Sequence, residues 1–147
     1  MINCGIDWAE AHHDVALVDD AGKTLTKVRV SADAAGFSRL LEVIVEQGGS
    51  PEVTPVAIET DKNLSVVALA AAGFRVYPIN PRAVARYRER HVQSGGKSDP
   101  GDAIVLANIL RTDRHCIGGC RRSASTPWRS RRWPVNTRRP SGPGTRR

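Results

Sequence analysis

The sequence predicts an α/β domain built on a mixed five-stranded sheet of order 3-2-1-4-5, flanked by helices. Three observations carry this. The first thirty residues read as three strands joined by short turns, the next seventy alternate helix and strand, and consecutive strands separated by a helix need a crossover that makes them parallel.

The elements follow in order. "INCGID", "DVALV" and "TLTKVRV" are rich in β-branched and apolar residues, and "DDAGK" between the last two is a hairpin turn around Gly22. The opening is therefore an antiparallel meander. Phe37, Leu40, Leu41, Ile44 and Val45 then recur at i, i+3, i+4, i+7 and i+8, the stripe of an amphipathic helix that "GGSP" ends. After it come a strand "VAIE", a helix "LSVVALAAAG", a strand "FRVYPIN", a short helix from about Pro81 to Glu89, a Gly-rich loop "SGGK", and a helix from about Asp99 to Arg111. Right-handed crossovers set the fourth strand beside the first and parallel to it. Strand order reverses there, and open sheets place their sites outside the carboxyl ends of strands at such a reversal. Asp7 closes "GID" and Glu59 closes "VAIE", so both acids are expected at that crevice.

Composition excludes several classes. Three cysteines, an odd number, with no signal-peptide pattern, lead us to expect a reducing cytoplasmic setting, and no apolar run is long enough to span a membrane. The net charge of +7 belongs to the C-terminal segment. Residues 116–147 contain nine arginines and no acid, leaving 13 basic and 15 acidic groups in the rest of the chain. That segment lacks periodicity and is crowded with Arg, Pro, Ser and Gly. Residues 1–115 are expected to form the domain and residues 116–147 a disordered tail. Its arginines, with Trp128 and Trp133, suit non-specific nucleic-acid binding. "CIGGC" with His115 offers three ligand candidates at an unusual spacing and no fourth, so a zinc site is not expected. His12 and His13 are expected in an exposed first turn, with proton transfer near Asp7 the alternative.

"KSDPGDA" has two readings. Asp99 suits an N-cap, Pro100 the first helical position and Asp102 the third, which would explain both acids as helix-start residues. Alternatively, residues three apart at a helix start share a face and turn two further carboxylates toward Asp7 and Glu59. Two carboxylates about 4 Å apart repel by roughly 4 kcal/mol at an effective dielectric near 20, so four converging acids call for cations. Oxygen ligands without Cys or His suit Mg²⁺ or Mn²⁺. Arg82, Arg86, Arg88 and Arg90 surround Tyr87 and read as phosphate contacts or as a solvated helix face; Lys97 either touches phosphate or neutralises the acids.

"GIDWAEAHHDVALVD", "VAIET", "VYPINPRAVARYRERH" and "SGGKSDPGDAIVLANILRTDRH" together resemble the N-terminal domain of the DEDD insertion-sequence transposases, over about Ile2 to His115. The resemblance implies a ribonuclease-H-like, RuvC-like fold, and it carries the family's acids onto Asp7, Glu59, Asp99 and Asp102. It implies cutting and rejoining of DNA strands of the mobile element and its target with Mg²⁺ at these acids, where the oxygen ligands themselves suit a pair of Mg²⁺ or Mn²⁺ ions, and in some members a structured guide RNA. Full-length relatives are expected to be homo-oligomers whose larger C-terminal domain supplies a serine nucleophile. Nothing in this sequence matches that domain, so the chain is expected to be truncated, with a tail read out of frame from GC-rich DNA. Two rivals remain. One is a catalytically inactive nucleic-acid-binding remnant or accessory protein. The other is an actin-like sugar or acetate kinase, which needs a small-residue phosphate loop where this chain has the bulky "WAEAHH".

Overall fold

A computed structural model describes residues 1–59, 64–91 and 101–117. The strands are β1 (Ile2–Trp8), β2 (His12–Asp19), β3 (Thr24–Ser31), β4 (Pro55–Ile58) and β5 (Arg75–Pro78), in the sheet order β3-β2-β1-β4-β5 that the sequence predicts. β1 runs antiparallel to β2 and parallel to β4, with Ile6 beside Ile58. The helices are α1 (Ala34–Glu46), α2 (Leu64–Ala71), α3 (Pro81–His91) and α4 (Asp102–Asp113), followed by a 3₁₀ turn at Arg114–Cys116.

Strand alternation sorts the core into two layers. Cys4, Ile6, Val56, Ile58 and Val76 pack with Leu40 and Ile44 of α1 and Leu69 of α2. Ala57 and Tyr77 face the other way, against Val84 and Tyr87 of α3 and Val105, Leu106, Ile109 and Leu110 of α4. α4 is buried on most sides because it lies over the middle of the sheet and also touches α3. Its seat depends on Gly5. A Cβ at that position would run into the Ala103 carbonyl oxygen and stand 2.6 Å from the Ala107 amide nitrogen. The small residues Gly5, Ala103 and Ala107 therefore let helix and strand backbones approach closely.

Helix ends obey local chemistry. Asp33 caps α1 by accepting from the Gly36 amide at 2.8 Å. At its far end Gly48 takes φ +81°, a left-handed conformation suited to glycine, and its amide donates to the Val45 carbonyl at 2.8 Å. In the hairpin turn, Asp19 Oδ1 accepts from the amides of Ala21 and Lys23, both at 2.9 Å.

Two local expectations are corrected. α4 starts at Asp102 rather than Asp99, because Gly101 holds extended dihedrals (φ −53°, ψ 151°) and its carbonyl accepts the first helical bonds from Ile104 at 2.9 Å and Val105 at 3.3 Å. His12 and His13 stand within β2, not in an exposed turn. The connection from β1 is tight, closed by the Ala9 amide donating to the His12 carbonyl at 3.0 Å, and both histidines are half-buried. No helix among the described residues is long and apolar enough to cross a membrane. Of the expected tail, Cys116 and Ile117 are described, Cys116 closing the 3₁₀ turn and Ile117 packing against the layer of α3 and α4, while residues 118–147 lie outside the described residues.

Candidate metal and nucleic-acid site

Asp7 is the penultimate residue of β1, and Glu59 follows the last residue of β4. The parallel register that sets Ile6 against Ile58 brings the next pair, Asp7 and Glu59, side by side at the carboxyl ends of adjacent strands. Both lie two residues beyond positions facing α4, Gly5 and Ala57, so alternation turns them toward that helix. Asp102 opens α4, directly before the Ala103 that rests on Gly5. One carboxylate oxygen from each of Asp7, Glu59 and Asp102 falls within 4.8 Å of the other two, and all three residues are half-buried.

Asp102 is not occupied in capping. Gly101 at the start of α4 has no side chain to cap with, and the Asp102 carboxylate pairs with Arg88. Three of the four acids considered from sequence thus come together; the fourth, Asp99, lies outside the described residues, as does Lys97.

The electrostatics describe a site with excess negative charge. Burial, then the nearby Asp14, push the Asp7 carboxyl above its ordinary range, against weaker opposing effects of Arg88 and His12. Burial, then Asp7, do the same to Glu59, again opposed by Arg88. A hard divalent cation bound by these oxygens would reverse that penalty, and no sulfur or imidazole stands among the clustered ligands. The donor set fits Mg²⁺ or Mn²⁺.

Arg88 behaves differently from the other arginines of α3. It shares the inner face with Val84 and Tyr87 and forms an ion pair with Asp102. Arg82, Arg86 and Arg90 recur every four residues along the exposed side. The Arg82 amide donates to Asn80 Oδ1 at 2.9 Å, which fixes the start of the helix.

Three residues near the acids escaped the sequence reading. Asp14 lies opposite Asp7 in the antiparallel register and accepts both Arg29 Nε at 2.8 Å and Nη2 at 3.0 Å, which holds its carboxyl below the usual range. Lys27, two residues before Arg29 on β3, completes with Asp7, Asp14, Arg88, Gly101, Asp102 and Ala103 the lining of a polar cavity of about 250 Å³. The signal was available in principle, since Asp14, Lys27 and Arg29 sit at alternate strand positions, but only pairing register turns them toward Asp7. On the opposite face His13 stacks on Trp8 at 6.1 Å between ring centres, away from the acids.

A family model described as transposase, the DEDD type of the IS110 group, matches residues 4–126. The chain belongs to the DEDD transposase family. Over 113 residues the transposase domain is 58% identical to a Streptomyces coelicolor protein that bears the name of a mini-circle transposase for IS117, covering 76% of this chain and 27% of that one. It is 34% identical over 115 residues to y4uE of Sinorhizobium fredii, also named as a transposase, covering 77% of this chain and 32% of the relative. The chain thus spans about a third or less of the length of these curated relatives. Among solved structures it is similar to RuvC of Thermus thermophilus, with a TM-score of 0.57 at 19% identity, covering 82% of this chain and 100% of RuvC. RuvC in complex with a Holliday junction substrate gives 0.56 at 18% identity over the same shares. The transposase domain therefore has the ribonuclease-H-like fold, as expected from its sheet order and its motifs.

Proposed function

We propose that this domain is the metal-dependent nuclease part of a transposase, cutting and rejoining DNA strands of a mobile element and its target. The observation that carries the reading is the meeting of the Asp7, Glu59 and Asp102 oxygens within 4.8 Å. Asp99 is proposed as the fourth ligand, and two Mg²⁺ or Mn²⁺ ions as the load. Such ions, when bound, activate an attacking oxygen and stabilise a leaving one.

The chain's own residues have distinct tasks in this reading. Asp7 and Glu59 hold fixed positions because each stands at the carboxyl end of a buried strand, while Asp102 arrives on a helix seated on Gly5. Arg88 neutralises Asp102 while the site waits for its ions. Arg82, Arg86 and Arg90 present a row of exposed guanidinium groups to backbone phosphates, and Lys97 adds to them. A structured guide RNA, homo-oligomeric assembly and a cytoplasmic setting complete the reading by family resemblance.

A second reading, that the chain binds nucleic acid without chemistry, is supported by the exposed row of Arg82, Arg86 and Arg90, which needs no metal to meet phosphate. Incubation with labelled duplex and branched DNA in Mn²⁺ separates the two. Nicking that requires metal and vanishes in Asp7→Asn supports the nuclease. Binding with no nicking in either protein supports the remnant.

A further inference from the structure

Among the described residues, two cation–acid pairs border the cavity, while Lys27, Asp7 and Glu59 form no ion pair. Arg29 is engaged by both oxygens of Asp14, and Arg88 by Asp102. Lys27 lines the same cavity, yet forms no ion pair among the described residues. Its Nζ lies against Gly101, 2.8 Å from where a Cβ on that residue would project, one residue from Asp102. The ammonium therefore borders, from β3, the cavity that Arg88 of α3 also lines.

Neutralising the acids does not account for it. Asp14 already has a bidentate partner, and Lys27 is the smallest of the influences on that carboxyl. Arg88 is the cation that acts on both Asp7 and Glu59. Lys27 is exposed at the edge of this polar cavity, so its ammonium is open to an incoming anion. A phosphodiester drawn to a cation-loaded cluster supplies one, and lysine suits it as a compact charge with three rotatable donors.

We propose that Lys27 is a positioning residue for the DNA strand, donating to a non-bridging oxygen of a backbone phosphate that crosses the acid cluster. The inference rests on the nuclease reading above and adds a contact on the β3 side to those on α3.

The test uses the full 147-residue chain with a fluorescent DNA duplex, Ca²⁺ for binding and Mn²⁺ for nicking. Lys27→Ala should bind more weakly, with the log–log salt slope reduced by about one, and should nick more slowly. Lys27→Arg should recover most of both. Lys23→Ala, which removes the same charge from the exposed β2–β3 turn, should match the parent. The melting temperature of Lys27→Ala and its shift with Mn²⁺ should equal the parent's, since the acids are untouched. A parent that binds and nicks DNA alongside an indistinguishable Lys27→Ala, or an equal loss in Lys23→Ala, overturns the role of Lys27 and spares the nuclease reading. A parent that neither binds nor nicks DNA overturns both.

Discussion

Gly5 and Ala107 meet backbone to backbone: a methyl group on Gly5 would stand 2.6 Å from the Ala107 amide nitrogen. This contact seats α4 on β1 and thereby fixes Asp102 relative to Asp7. Gly5→Ala should destabilise the domain by about 1–3 kcal/mol, the usual cost of overpacking, although alanine suits a strand better than glycine does. The denaturation midpoint reports that loss. The melting shift produced by Mn²⁺ should shrink with it, because a displaced α4 carries Asp102 out of the cluster.

The metal-free domain should lose stability as pH rises above about 4. Burial, then Asp14, raise Asp7 from 3.8, and burial, then Asp7, raise Glu59 from 4.5. Between unfolded and folded values the native state binds more protons than the unfolded chain, so the stability gradient is negative across that window and flat above it. Asp14 acts with the opposite sign, its Arg29 partner stabilising the native state above 3.8 and losing that effect as pH falls through its folded value. Asp7→Asn should flatten the decline and raise the metal-free melting temperature at pH 7. Melting curves in chelator from pH 4 to 8 measure both effects.

Arg88 should prove to be a counter-cation that competes with metal. Its pair with Asp102 is about a third exposed on both sides, so Arg88→Ala should cost at most about 1 kcal/mol of metal-free stability. The same substitution frees the Asp102 carboxylate and should strengthen Mn²⁺ binding. Calorimetric titration of the variant against the parent checks the direction, and weaker binding in Arg88→Ala would show that the arginine supports the metal-loaded form.

The two described thiols should differ sharply in reactivity. Burial pushes the Cys4 thiol up to about 12, whereas Cys116 is exposed. A thiolate reagent at pH 8 should modify Cys116 in the native protein and reach Cys4 only on unfolding, as mapped by mass spectrometry. Native labelling of Cys4 would mean that β1 opens locally.

Legibility in the sequence followed the range of the forces involved. The sheet order was readable because the turn at "DDAGK" and two helical crossovers leave few topologies, and the same topology brought Asp7 to Glu59. Local polarity hid other features. "HH" reads as turn before the strand "DVALV", yet His12 and His13 extend that strand along the end of β1, and only this register sets Asp14 beside Asp7. The start of α4 was misplaced because Asp99 and Pro100 carry strong helix-start signals, while Gly101 keeps extended dihedrals. The inward turn of Arg88 depends on packing of Val84 and Tyr87, which periodicity suggests but composition does not.

The central claim is that Asp7, Glu59 and Asp102 hold divalent cations together, and Mn²⁺ titration by calorimetry tests it most directly in the parent, Asp7→Asn, Glu59→Gln and Asp102→Asn. The account predicts saturable binding in the parent and a loss of tenfold or more, roughly 1.4 kcal/mol, in each variant. Binding of equal strength in all four proteins would contradict it.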